Sequence, residues 1–113
     1  MKGDVRGYRV AVVADSLLDR LLPLLEEERW GAIQLPPRSL DAETVAAWLE
    51  HVGEHVAEFR RNGYAVVLID DGAHELSLEV PALRASGDVG EARSFLRRYA
   101  IHPPSTSRLT PDT

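Results

Sequence analysis

An α/β fold is predicted by three features of the sequence. Two short Val-rich runs, Tyr8–Ala14 and Tyr64–Ile69, are bounded by polar residues and read as strands buried on both faces. Between them, apolar residues recur at spacings of three and four, the pattern of amphipathic helices. Breaker residues fall where the pattern changes, at Trp30-Gly31, Pro36-Pro37, Asn62-Gly63 and Asp70-Asp71-Gly72.

The first strand, Tyr8–Ala14, is followed by Asp15-Ser16, and Ser16 is a good helix N-cap. Leu17, Leu18, Leu21, Leu22 and Leu25 then share one helical stripe. Pro23 lies inside it and predicts either a kink or a helix restart. Ala32–Leu35 is a second short strand, ended by Pro36-Pro37. Ser39 or Asp41 caps the clearest helix in the chain. Its stripe is Val45, Trp48, Leu49, Val52, Val56 and Phe59, with Arg60 and Arg61 in the last turn and Asn62-Gly63 as its stop. From Asp41 to Asn62 it spans ~33 Å, longer than a small sheet is deep. One end is therefore expected to overhang or to meet another subunit.

Tyr64–Ile69 is the third strand. Right-handed crossovers in a βαβαβ chain put strands two and three on either side of strand one, in the parallel order 2-1-3. That arrangement is a three-layer half-unit of Rossmann-like or flavodoxin-like type. Leu76, Leu78 and Val80 alternate with Ser77 and Glu79 and read as a half-exposed edge strand. The turn before it is too short for a parallel crossover, so it is expected to pair antiparallel at the sheet edge or to extend elsewhere. Ala82 to Val89 reads as a loop, and Glu91 to Ala100 as a C-terminal helix with Phe95 and either Ala92 or Tyr99 facing inward. Residues 1–102 form one domain on this reading, and 103–113, rich in Pro, Ser and Thr, form a flexible tail.

Composition narrows the function classes. With 113 residues, 44% hydrophobic and 27% charged, the chain is long enough for one core and too apolar for wholesale disorder. Uncharged apolar runs such as Val10–Ala14 are far short of the ~20 residues of a membrane span. Met1-Lys2-Gly3-Asp4 lacks the apolar core of a signal peptide, so a cytoplasmic location is expected. The absence of cysteine excludes disulfides and thiolate chemistry. A net charge of -5 argues against nucleic acid or an anionic membrane as the main partner.

Open α/β sheets take ligands outside the carboxyl ends of their strands, where strand order reverses. The loops expected to meet there carry Asp15 and Ser16, then Asp70, Asp71 and His74, with Arg38 and Ser39 from the loop after strand two. The carboxylates suit Mg²⁺, Ser16 and the first helix N-terminus suit a phosphate, and Arg38 suits an anion clamp. Equally, Asp and Ser are common helix caps, and Asp-Asp-Gly is a common turn.

Val12-Val13-Ala14-Asp15 and Leu68-Ile69-Asp70 resemble the strand ends of response-regulator receiver domains, which place acidic residues after the first strand and a phospho-acceptor Asp after the third. The resemblance implies at most a degenerate receiver-like regulatory module. Receivers carry an acidic pair where this chain offers Asp15 alone, and a late Lys where its single Lys is Lys2. No Gly-x-Gly-x-x-Gly or Walker loop is present, which argues against dinucleotide and P-loop binding. His51-Val-Gly-Glu54-His55 spells an inverted zinc-protease signature. Both histidines flank the apolar stripe, however, where solvated residues sit, so no metal site is assigned to them.

Two functions follow as expectations. The first is a small non-catalytic module acting through self-association or protein partners. A homodimer through the edge strand or the long helix is its natural form, because a narrow sheet leaves edges and helix faces uncovered. The alternative is a Mg²⁺-dependent binding or catalytic domain for a phosphorylated small molecule at the crevice. No cofactor besides Mg²⁺ is suggested.

Overall fold

The computed structural model describes residues 9–72, 78–85 and 88–101. The elements run β1 (Arg9–Val13), α1 (Asp15–Glu27), β2 (Gly31–Gln34), α2 (Ala42–Arg61), β3 (Ala65–Asp70), β4 (Ala82–Arg84) and α3 (Val89–Ile101). One four-stranded sheet has the order β2-β1-β3-β4, every pair parallel. The predicted α/β class and the 2-1-3 order are present, extended by one edge strand. Among the described residues no helix is long and apolar enough to cross a membrane.

The central strands explain themselves. Val12, Val13, Val67 and Ile69 are completely buried, as a parallel strand covered on both faces requires. Right-handed crossovers put α1 on one face and α2 on the other. The core is built from Leu17, Leu21, Leu24 and Leu25 of α1, Val52 and Val56 of α2, and Ala92, Phe95 and Leu96 of α3. Tyr99, half-buried, packs edge-on against Phe95 with ring centroids 5.1 Å apart.

Helix α1 and helix α3 pack side by side and are joined by charge. Glu28, just past the end of α1, meets Arg97 at 2.9 Å and Arg93 at 3.8 Å, and Arg93 also reaches Glu27 at 3.3 Å. The acidic run that opposes the α1 dipole is thus covered by cations from α3. The guanidinium of Arg97 is held further toward its charged form by its hydrogen bond to Glu28. Two arginines of α3 thus hold the two helices together.

Both long helices end in the same way. After α1, Arg29 donates its N–H to the Glu26 carbonyl and Trp30 donates to that of Leu25. After α2, Gly63 donates to Arg60 and Tyr64 donates to Phe59. These are Schellman closures, which need a left-handed residue at the first position past the cap. Gly63 has φ +86° and Arg29 has φ +66°. The accompanying hydrophobic contact is visible after α2, where the Phe59 and Tyr64 rings lie 4.7 Å apart.

Three expectations need correction. Residues 78–80 form no strand; the edge strand is β4, in the stretch expected to be loop, and it is parallel, with Leu68 opposite Ala82 and Asp70 opposite Arg84. A parallel strand must enter from the end where β3 begins, and the described residues 78–81 lead into it; Leu76 and Ser77 of the expected strand lie outside the described residues. Leu78 and Val80 pack against the core within that lead-in. Second, Ser16 does not cap α1: the cap position is Ala14, with no side-chain cap bond. Third, of the two expectations for Pro23 the restart does not occur: α1 runs through it as one helix. Pro23 and Asp19 are both exposed, so the carbonyl deprived of its helical donor can bond to water. Of the two candidates for α2, Asp41 is the cap, accepting from the Thr44 N–H at 3.1 Å and from its hydroxyl at 2.7 Å. For α3 the cap is Asp88, which accepts from Gly90 at 2.9 Å and Glu91 at 3.3 Å. The tail expected over 103–113 lies outside the described residues.

Candidate functional site

The carboxyl ends of β1, β2 and β3 open on a cleft of about 420 Å³. It is lined by Asp15, Ser16, Arg38 and Asp71, above a floor of Ala14, Leu35 and Pro36. Four of the residues picked out by topology therefore meet in one place, for the reason topology gave. Each follows directly from a strand or from the loop after it, and β1 lies between β2 and β3.

Within the cleft the two carboxylates are engaged by neutral donors. The Ser16 hydroxyl donates to Asp71 Oδ2. Gln34 donates its side-chain N–H to Asp15 Oδ1 at 2.7 Å. Gln34 was not among the sequence candidates, although its position at the carboxyl end of β2 is the signal that could have found it. No ion pair to Arg38 occurs among the described residues. The cleft thus offers two acidic groups, one hydroxyl and one guanidinium.

Ser39 and Asp70 do not join it. Ser39 is exposed and does not line the cleft. Asp70 is only 8% exposed and faces elsewhere. Successive side chains of a strand point to opposite faces, so Asp70 shares a face with Val66 and Leu68, away from Asp71. Its Oδ2 lies 3.9 Å from Arg84 Nη2, across the β3–β4 ladder. Its Oδ1 is buried with no hydrogen-bond partner among the described residues. The Arg84 guanidinium also lies over Gly72, where an added Cβ would stand 3.4 Å from it; φ +84° at Gly72 suits glycine independently. His74 lies outside the described residues.

Asp15 and Asp71 are therefore a pair rather than part of a triad with Asp70. Among the described residues no group of three His, Cys, Asp or Glu side chains is placed to hold a metal ion. In the helical signature, His51 Nδ1 lies 3.6 Å from Glu54 Oε1, and both side chains are about 70% exposed. That is the solvated flank its position on the helical wheel implied.

No protein-family model matches this chain, and no match to it emerges among curated proteins or among solved structures.

Proposed function

We propose that this chain is a small non-catalytic α/β module that works by contact with other protein surfaces, including further copies of itself. The observation that carries the reading is the uneven cover of α2. Val52 and Val56 are buried at 3% exposure each, whereas Val45, Trp48 and Leu49, on the same stripe toward the N-terminus, stay half-exposed. The strand beneath that half, β2, is the sheet edge, with Gly31 and Ala32 exposed. Leu40 is exposed as well. An apolar helix end beside an open edge is a surface that association would cover.

Light scattering on the purified chain tests the self-association arm. A dimer mass at micromolar concentration is expected, and a monomer mass across the accessible range removes that arm.

A second reading is favoured by one specific observation: Asp15, Ser16, Arg38 and Asp71 line a single cleft. On this reading the cleft binds a phosphorylated small molecule with Mg²⁺. The anion would lie against Arg38, and the ion against Asp15 and Asp71. The receiver-like variant draws no support from Asp70, which is buried and turned toward Arg84.

A further inference from the structure

We infer that the groove between the end of α2 and the segment before β4 docks a short acidic, apolar peptide segment of a partner protein. This inference rests on the reading of the chain as a protein-contact module. The groove encloses about 420 Å³ and is lined by Arg60, Arg61 and Tyr64 on one side and Glu79, Val80 and Pro81 on the other.

Its origin lies in the topology. Among the described residues no helix lies between β3 and β4, and none packs against α2 there. The gap is floored by Val66 and walled by Val80 and Pro81, which suit an apolar side chain.

Charge selects the occupant. The chain carries a net charge of -5, yet Arg60 and Arg61 are exposed and have no ion-pair partner among the described residues. Their backbone is fixed by the Schellman closure, in which Gly63 donates to Arg60 at 3.1 Å and Tyr64 donates to Phe59 at 3.0 Å. Two guanidinium groups lining one groove from the last turn of α2 match carboxylates in charge and in bidentate hydrogen bonding. Glu79 on the facing wall repels a phosphate chain or nucleic acid more than an isolated carboxylate. The groove also lies at the amino end of β3, opposite the end where open α/β sheets take small ligands. A peptide with carboxylates beside apolar side chains satisfies all of these conditions together.

Amide NMR shifts on the full chain provide the test. The probes are acetyl-Leu-Glu-Leu-Glu-amide, its Gln counterpart and inorganic phosphate. The acidic peptide is expected to give saturable shifts confined to residues 57–66 and 79–81, and the other two probes none of similar size. Replacing both arginines (R60A with R61A) should weaken binding about tenfold, since two exposed charge pairs are lost. Glu79→Gln should tighten it, a gain that an unfolded variant cannot imitate. Equal binding of the Gln peptide, equal binding of phosphate, shifts outside the groove, or an unchanged affinity in either variant each overturns the proposal. A dimeric chain that ignores the peptide defeats the groove and leaves the protein-contact reading standing. A monomer that also ignores it defeats the groove and the self-association arm together.

Discussion

Arg29 and Gly63 occupy the same position in two copies of one helix-ending motif, at φ +66° and φ +86° respectively. One side chain bears the cost of a left-handed backbone and the other avoids it. For a residue with a Cβ, that conformation costs roughly 1–2 kcal/mol. Glycine gives back part of the gain through greater freedom in the unfolded chain, about 0.4–1 kcal/mol. Arg29→Gly should therefore stabilise the protein by about 0.5–1 kcal/mol. The check is a rise in the urea midpoint at constant slope. Gly63→Ala should move the midpoint the other way by a similar amount.

The two tryptophans make a contrasting pair. The Trp48 indole donates to the Gln34 carbonyl at 3.0 Å. Leu35 N–H bonds back to Val13, so the carbonyl of Gln34 points off the open side of β2. Trp48 thus covers one acceptor of an edge strand. Trp30 is buried, and its indole N–H has no partner among the described residues. Trp48→Phe should cost about 1 kcal/mol more in lost hydrogen bonding than Trp30→Phe, whose lost volume is offset by removal of an unsatisfied donor. Paired chemical melts read the difference, and equal losses would contradict the assignment. Trp30→Ala should cost about 3–5 kcal/mol, because it empties the site.

Asp70 and Asp71 are adjacent and should behave differently. Asp70→Asn removes a buried charge held by one long contact, so its stability should stay within about 1 kcal/mol of wild type or rise. Arg84→Ala, which strips Asp70 of its cation, should destabilise. On the cleft reading, Mg²⁺ at roughly 10 mM raises the melting temperature of wild type and of Asp70→Asn alike, and fails to raise that of Asp71→Asn. A Mg²⁺ response lost in Asp70→Asn but kept in Asp71→Asn would reverse the placement of the two carboxylates.

Acid should weaken the start of α2. The Thr44 hydroxyl and N–H hold the Asp41 carboxyl below its usual pKa of 3.8. A carboxyl with a lowered folded pKa stabilises the fold above its unfolded value and loses that contribution as pH falls through the folded value. Asp41→Ala should therefore melt lower than wild type at neutral pH, and the gap should narrow as the pH falls below 3.8 and through the lowered folded value. Asp41→Asn keeps an acceptor and should recover most of the loss at neutral pH. A gap independent of pH would show that the carboxylate charge plays no part.

Replacing His51 and His55 together by Ala should leave thermal stability within about 0.5 kcal/mol of wild type, as exposed positions usually do. Stoichiometric zinc in the purified chain, lost in the double variant, would contradict the solvated-flank assignment.

The βαβαβ half of the fold was legible because its signals are strong and local. Buried Val-rich strands and Leu stripes of fixed spacing leave few alternatives. The edge strand was not legible. Ala82-Leu83-Arg84 has no period to read, while Leu76 to Val80 alternates as a strand would. Of these residues Leu78 and Val80 touch the core without pairing, a condition local pattern cannot distinguish from a strand. The cleft was legible through topology, which brought Asp15, Ser16, Arg38 and Asp71 together before any distance was known. Grouping Asp70 with them ignored the two-residue period of a strand, which turns neighbours to opposite faces. Ser16 was misread as a cap because a hydroxyl next to a helix start serves a cap or a cross-loop bond equally well, and Asp71 comes from too far along the chain for local reasoning.

The ion pairs between the end of α1 and α3 join segments synthesised early and late. The Arg9 side chain adds the first strand to that joint by donating to the Glu28 carbonyl at 3.2 Å. Ala92, Phe95 and Leu96 of α3 close the core beside α1. A nascent chain that has emerged only as far as β4 lacks these residues and exposes the Leu-rich side of α1. The two ends of the described fold therefore depend on each other: the Leu-rich side of α1 is closed only when α3 is in place.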